Sequence, residues 1–363
     1  MWPVMVTFTG CIMCRFFSPL RKPMGLMLVG FSISLGIYGF GSIWLYANAF
    51  VIYFSVMGLN KIPAGMFRDM AFQVFMASMT GFFIASSIGL IPFLEYLPIL
   101  GMIQFLVYLI FVWECSTGRL ESISLPIFLG WVGFPFQIMV WPSDFKYQVE
   151  NELSVASPIN IYFFQDLFIR IFMMSVSQIF SSVGTSLPPN ENIYFKLLHL
   201  YLLAPWGWYL QAAALAGMMR DAGALAGISV PENFKSPFLA TNISDFWSRW
   251  NIGATRAFRD ILFFNRFGLS FYNPYLNTMI VFLAMGAWHA VNPYWLLFGF
   301  IHGIGFCIYI ALGARLDWSN HWKLRLLGWC LTYLFVCTCW ALPPQLIRIS
   351  RNLLGNIGGF SNE

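Results

Sequence analysis

The feature of this sequence that most restricts its fold is the length of its uncharged apolar runs. Residues 24–59 form 36 consecutive positions without a charged side chain. Because a helix of about 20 apolar residues already crosses the hydrocarbon core of a bilayer, this run predicts two crossings, separated near Gly39–Gly41. Backbone groups in lipid must satisfy their hydrogen bonds within the protein, so such runs are expected to be helices.

The composition indicates that the chain as a whole lies in a membrane. Hydrophobic residues make up 59% of the 363 residues and charged residues only 10%, whereas soluble domains hold roughly 25% charged residues. The mean hydropathy is +0.69. These values exclude a soluble globular protein, a disordered chain and a nucleic-acid-binding protein. We therefore predict an all-α, polytopic integral membrane protein with about nine to eleven transmembrane helices, forming one membrane-embedded domain over residues 1–363.

The remaining apolar runs extend this pattern along the chain. Further apolar runs lie at 2–17, 70–92, 96–113, 123–141, 159–182, 194–217, 274–291, 294–313 and 327–345. The first run has no basic leader and predicts a retained helix rather than a cleaved signal peptide. The seven cysteines lie mostly inside apolar runs, so they are interpreted as small apolar helix residues rather than as disulfides or a zinc site.

The distribution of charge predicts the topology, because cytoplasmic loops are rich in Lys and Arg. The segments predicted to be cytoplasmic on this basis are 15–22, 59–69, 218–271 and 314–325. The acidic loop 142–158 is predicted to lie outside. If 159–182 and 194–217 both crossed, however, the basic segment after them would also end outside. We therefore expect 159–182, which contains Asp166 and Arg170, to be re-entrant or interfacial.

His289 is the first candidate catalytic residue. Ionisable residues at membrane depth are costly and are functional candidates by default. His289 ends an otherwise uncharged run, and Pro293, shortly after it, allows the chain to turn. A neutral imidazole in this position can accept a proton from a hydroxyl group. These features alone leave a catalytic histidine and a structural histidine both open.

Residues 227–260 are the second candidate. The segment is too polar to lie in lipid and too aromatic for a free loop, so it must pack against protein or line a wet cavity. Asp245 and Arg249 are spaced as an i,i+4 pair, and Arg259 follows. Guanidinium groups suit phosphate or carboxylate groups. The alternative is that these arginines are headgroup anchors, paired with Asp245 and Asp260.

The same part of the chain carries a resemblance to a known family. Its pieces, in chain order, are PENFKSPFLATNISDFWSRWN, FRD at 258–260, MGAWHA and FGFIHG at 298–303. Together they resemble the signature of the membrane-bound O-acyltransferase (MBOAT) superfamily. The resemblance is closest to the branch that acylates cell-surface polymers, as in alginate O-acetylation and teichoic-acid D-alanylation. The order and spacing of several uncommon pieces over 227–303 make the match specific.

The resemblance implies a helical bundle around a central tunnel, and it assigns roles to individual residues. The invariant histidine of the family falls on His289, the implied general base. The second polar position falls on Asn251, which would stabilise the oxyanion or orient the donor carbonyl. The polymer-acylating branch more often has His there, whereas lipid and protein acyltransferases more often have Asn. The residues expected to bind substrate are Arg249, Trp250, Trp288, Arg259 and His302, the last with a structural role as the alternative.

The implied reaction transfers an acyl group, acetyl or another short acyl, from a thioester to a hydroxyl of a cell-envelope glycan or polymer. The donor would be acyl-CoA or an acyl carrier protein on the cytoplasmic side. No metal and no permanently bound cofactor is expected. The implied location is a bacterial inner membrane, and the implied partner is an exported transferase.

Three alternatives stay open from the sequence. An acyl-CoA-dependent lipid acyltransferase would share the reaction and differ in the acceptor. A transporter or flippase has the same composition, although the internal symmetry common in transporters is not visible here. An inactive scaffold would not need both Asn251 and His289. Release of thiol from a labelled acyl thioester separates the enzymes from the other two classes.

Overall fold

The computed structural model describes most of the chain. The described residues are 2–16, 22–38, 42–90, 98–132, 161–186, 192–227, 230–264, 273–312 and 322–358. Within these ranges the chain forms helices and turns and no strand, which confirms the all-α prediction.

Four of the described helices are long and apolar enough to cross a membrane. They are Met66–Ser87, Phe163–Ser186, Pro293–Leu312 and Trp322–Pro344. A multi-pass membrane protein is therefore confirmed. The total of nine to eleven crossings stays a prediction.

The described α-helices are numbered here in chain order. They are α1 (Trp2–Arg15), α2 (Lys22–Tyr38), α3 (Ser42–Asn60), α4 (Met66–Ser87), α5 (Pro98–Ser116), α6 (Leu125–Val132), α7 (Ile161–Ser186), α8 (Ile193–Leu198), α9 (Ala204–Ala226), α10 (Ile243–Arg249), α11 (Ile252–Phe258), α12 (Pro274–His289), α13 (Pro293–Leu312) and α14 (Trp322–Gly358). A π-helical turn, His199–Leu203, joins α8 to α9. A second one, Arg259–Phe263, follows α11.

Helix boundaries follow the apolar runs in most places. Within the 36-residue run the structure describes α2, which ends at Tyr38, and α3, which begins at Ser42. The break predicted near Gly39–Gly41 lies outside the described residues. In contrast, α14 continues past the crossing predicted at 327–345 and includes Pro343 and Pro344 inside the helix. The acidic loop 142–158 lies outside the described residues.

The chain divides into two compact units. The first unit comprises Met1–Met174, Ala212–Lys235 and Asn251–Ser270, and the second comprises Ser175–Gln211, Ser236–Trp250 and Phe271–Glu363. The prediction of one membrane-embedded domain over 1–363 is not tested by this division.

In the first unit, the two charged residues of α7 face another helix. Asp166 forms an ion pair with Arg220 of α9, with 2.8 Å between Oδ2 and Nη2. The side chain of Arg170 lies directly against Gly217 of α9, where an added Cβ would collide with the guanidinium group. Helix–helix packing therefore accounts for both charged residues of this helix.

This packing corrects one prediction about 159–182. A re-entrant segment must reverse direction, but α7 is a single helix of 26 residues. The prediction of a re-entrant segment is therefore wrong, and the interfacial alternative stays a prediction. The re-entrant prediction rested on the charged pair in an apolar run, and here both charged residues pack against α9 within an unbroken helix.

In the second unit, α12 and α13 form a closely packed hairpin. A Cβ at Gly286 of α12 would collide with the carbonyl oxygen of Trp295, and one at Gly299 of α13 would collide with the carbonyl oxygen of Phe282. Gly299 and Gly303 also have the four-residue spacing of small residues that lets membrane helices approach closely. Glycines therefore set the distance between the two helices.

We expect Gly286→Ala to destabilise the protein, because the obstructing atoms belong to the backbone and can move only if the helices separate. Overpacking of this kind costs about 1–3 kcal/mol. The measurement is thermal unfolding of the detergent-purified protein. Gly81→Ala in α4 is the matched control, since its added Cβ meets nothing within 4 Å. A melting temperature equal to wild type for Gly286→Ala would contradict the close contact.

Candidate functional site

His289 is placed at the end of the α12–α13 hairpin. It is the last residue of α12, and α13 begins only four residues later at Pro293. The side chain of Asn292 stabilises the start of α13 by accepting a hydrogen bond from the Trp295 backbone N–H at 3.1 Å. The turn therefore holds His289 at a defined position where two apolar helices meet.

The imidazole of His289 is oriented by aromatic contacts. Its ring stacks on Trp295 with 4.2 Å between centroids and an interplanar angle of 18°. Trp288, which is 3% exposed, lies 4.8 Å from it. Within the part of the chain that the structure describes, neither ring nitrogen of His289 makes a hydrogen bond. Stacking fixes the faces of the ring and leaves the two nitrogens at its edge available for proton transfer.

Trp340 of α14 connects several of the predicted residues within the second unit. Its ring contacts Trp295, on which His289 stacks, at 6.4 Å between centroids, and it contacts Trp250 at 6.1 Å. It also contacts Phe298 at 5.3 Å. Sequence reasoning missed Trp340, because a tryptophan in an apolar run carries no motif and the chain has 15 of them.

His302 lies inside an aromatic shell in the second unit. It is completely buried, and its ring contacts Phe298, Trp247 and Phe335 at 4.5, 5.0 and 5.6 Å between centroids. Among the described residues, neither of its ring nitrogens has a hydrogen-bond partner. This enclosure favours the structural role over contact with substrate.

The two arginines predicted to bind substrate are paired with acidic residues. The Nε of Arg249 lies 2.7 Å from Oδ1 of Asp245. The Nη2 of Arg259 lies 2.8 Å from Oδ1 of Asp260. The pairing that the alternative interpretation predicted is thus present, and binding of substrate by these arginines stays a prediction.

Asn251 belongs to the first unit, whereas His289 belongs to the second. Asn251 directly precedes α11 with a left-handed backbone, φ 43° and ψ 54°. Its side chain makes no capping hydrogen bond to α11. Instead, its Oδ1 accepts a hydrogen bond from Nδ2 of Asn233 at 3.0 Å. The side chain is therefore held by a tertiary contact rather than by its own helix.

Comparison with known proteins connects this chain to membrane acyltransferases. No family model matches it. It is 32% identical over 159 residues to the probable alginate O-acetylase AlgI of Pseudomonas putida, a match covering 42% of this chain and 32% of that protein. It is 31% identical over 131 residues to the teichoic acid D-alanyltransferase of Bacillus subtilis, covering 31% of this chain and 32% of that protein.

A eukaryotic relative matches over a longer segment. The chain is 25% identical over 289 residues to acyl-CoA–sterol O-acyltransferase 1 of Arabidopsis thaliana, which covers 71% of this chain and 79% of that protein. In contrast, the chain spans only about a third of the length of the two bacterial relatives.

The fold is that of an all-α, multi-pass membrane protein with a histidine at the turn between two apolar helices. The names of the relatives indicate the membrane-bound O-acyltransferase superfamily and include its polymer-acylating branch. This confirms the resemblance to that superfamily.

Proposed function

We propose that the protein transfers an acyl group from a thioester to a hydroxyl group of a cell-envelope polymer. The observation that carries the proposal is the placement of His289 at the end of a closely packed helical hairpin, with its ring stacked on Trp295 and, among the described residues, no hydrogen bond to its ring nitrogens. The names of the bacterial relatives, an alginate O-acetylase and a teichoic acid D-alanyltransferase, support the reaction type and the acceptor class.

In the proposed reaction His289 is the general base. Its imidazole takes the proton of the acceptor hydroxyl while the oxygen attacks the thioester carbonyl carbon. The tetrahedral oxyanion accepts a hydrogen bond from the Asn251 amide, a contribution of about 3 kcal/mol for a donor of this type. As the intermediate collapses, the C–S bond breaks, and the thiolate takes the proton from the imidazolium. The products are an ester and a free thiol, and no acyl-enzyme is formed.

Surrounding hydrophobic residues serve the same reaction by excluding water. Water would otherwise hydrolyse the activated donor. Trp288, Trp295 and Trp340 supply apolar surface around the imidazole in the second unit. The proposed donor is acyl-CoA or an acyl carrier protein reaching the site from the cytoplasmic side. An exported partner transferase and a bacterial inner membrane location are further parts of the proposal.

A lipid alcohol is the second candidate acceptor. Two observations favour it. The match to the Arabidopsis sterol acyltransferase covers more of this chain than the bacterial matches do. The residue at position 251 is also Asn, the residue more common in lipid acyltransferases of the superfamily that the signature resembles. The chemistry at His289 would be unchanged, and only the acceptor would differ.

The test is an assay of the purified full chain with labelled acetyl-CoA. The acceptors, supplied separately, are a soluble envelope polysaccharide and a sterol or long-chain alcohol in mixed micelles. We expect thiol release coupled to label on the polysaccharide. Label on the alcohol alone would replace the acceptor proposal with the second candidate. Absence of thiol release with acetyl-CoA and with an acetylated carrier protein would overturn the enzymatic proposal and leave the transporter and the inactive scaffold.

A further inference from the structure

We infer that Asn233 is a positioning residue that fixes the amide polarity of Asn251, so that the Nδ2 group of Asn251 is presented as a hydrogen-bond donor. This inference rests on the proposed role of Asn251 as the donor to the oxyanion. Nothing in the sequence distinguishes Asn233 from the other polar residues of the signature segment. The inference comes instead from three hydrogen bonds within the first unit.

The orientation of Asn233 is set by the backbone at the start of α11. The N–H of Gly253 donates to Oδ1 of Asn233 at 2.8 Å, and the N–H of Ile252 donates to its backbone carbonyl at 3.0 Å. A backbone N–H can only donate. The atom of Asn233 that faces Gly253 must therefore be the oxygen, and its Nδ2 group must point the other way.

The Nδ2 group of Asn233 then determines the orientation of Asn251. It donates to Oδ1 of Asn251 at 3.0 Å. If the Asn251 amide were turned over, two NH₂ groups would face each other, and this hydrogen bond would be lost. Asn233 is only 3% exposed, so water cannot readily substitute for the missing partner. The backbone N–H of Gly253 thereby fixes the orientation of the Asn233 amide, which in turn fixes that of the Asn251 amide. We call this chain of two hydrogen bonds the relay.

The Nδ2 group of Asn251, at the end of the relay, is the hydrogen-bond donor that the proposed reaction needs. Among the described residues, Nδ2 of Asn251 donates to no partner. The left-handed backbone of Asn251 also directs its side chain away from the usual capping contact with α11. Asn251 therefore offers an N–H group, and not a carbonyl oxygen, to an approaching oxyanion.

The substitution Asn233→Asp tests the relay with little change in shape. An aspartate still accepts from Gly253, but it cannot donate to Oδ1 of Asn251. Asn251 would turn its NH₂ group toward the carboxylate and present its oxygen instead. We expect kcat to fall by about 10²–10³-fold, the range for loss of one oxyanion donor, with little change in KM for the donor or in melting temperature.

The matched control is Asn273→Asp. Asn273 also accepts backbone hydrogen bonds at a helix start, from Tyr275 and Leu276, but it is not part of the hydrogen bonds that link Gly253, Asn233 and Asn251. It should retain wild-type kcat. The double variant Asn233→Asp/Asn251→Gly completes the test. If Asn233 acts only through Asn251, the double variant loses no more activity than Asn251→Gly alone.

The outcomes separate this inference from the proposed function. Full activity in Asn251→Gly would overturn the role of Asn251 and the relay together. Loss in Asn251→Gly combined with wild-type kcat in Asn233→Asp would overturn the relay alone. Should Asn233→Asp fail to fold, Asn233→Ser replaces it, because a serine hydroxyl is too short to bridge to Asn251. Wild-type kcat in a folded Asn233→Ser would likewise overturn the inference.

Discussion

Replacing His289 with alanine is expected to lower the rate of acyl transfer by about 10²–10⁴-fold, the range for removal of a general base. The protein should still insert into the membrane, because His289 is a single residue at the end of an apolar helix whose packing depends on Gly286 and Gly299. The measurement is the initial rate of thiol release and ester formation by detergent-purified protein. Full activity in this variant would remove the assignment of the base.

A second substitution distinguishes the contribution of the His289 ring nitrogens from that of ring stacking. His289→Phe keeps an aromatic ring that can stack on Trp295 but has no proton acceptor, so it should lose as much activity as the alanine variant. His199→Ala is the control, since His199 also lies in an apolar run but carries no proposed role. It should retain most of the activity. Activity in His289→Phe well above that in His289→Ala would mean that stacking, not proton transfer, is the contribution of this residue.

Removing the amide of Asn251 is expected to lower kcat by about 10²–10³-fold. Glycine is the appropriate replacement, because Asn251 has a positive φ of 43°. Alanine in a left-handed conformation adds roughly 1–2 kcal/mol of backbone strain, which would mix a loss of stability with a loss of catalysis. Glycine adopts the conformation without that strain.

The kinetic signature of Asn251→Gly should be specific to the transition state. An interaction made only with the oxyanion lowers kcat and leaves KM for the thioester nearly unchanged. Asn251→Ala should show the same loss in kcat together with a lower melting temperature. An unchanged rate in the glycine variant would show that Asn251 only packs. A rise in KM with constant kcat would instead assign it to binding of the donor.

The apolar runs predicted the helices where hydropathy alone sets the boundary. Both α2 and α3 lie within the 36-residue run that is too long for one crossing. The re-entrant prediction for 159–182 was wrong, because hydropathy cannot show that the segment is one unbroken helix or that Asp166 and Arg170 face α9. The crossing predicted at 327–345 agrees with the candidate span Trp322–Pro344, but hydropathy could not show that α14 continues beyond it to Gly358.

The candidate residues also divide into those that the sequence could identify and those that only the structure could identify. His289 and Asn251 could be selected from the sequence because each belongs to a signature of uncommon pieces at defined spacing. Trp340 could not, since its contacts with Trp295 and Trp250 join distant parts of the chain. Asn233 was visible as part of the signature, but its hydrogen bonds to Gly253 and Asn251 were not.

The sequence by itself determined that this is a helical membrane protein and which two side chains carry the proposed chemistry. Lipid forces the backbone to satisfy its own hydrogen bonds, so long apolar runs leave little choice of secondary structure. Only the tertiary structure decided which helix faces meet, because apolar side chains are equally compatible with lipid and with a neighbouring helix. The stacking of His289 on Trp295 and the relay through Asn233 are consequences of that packing.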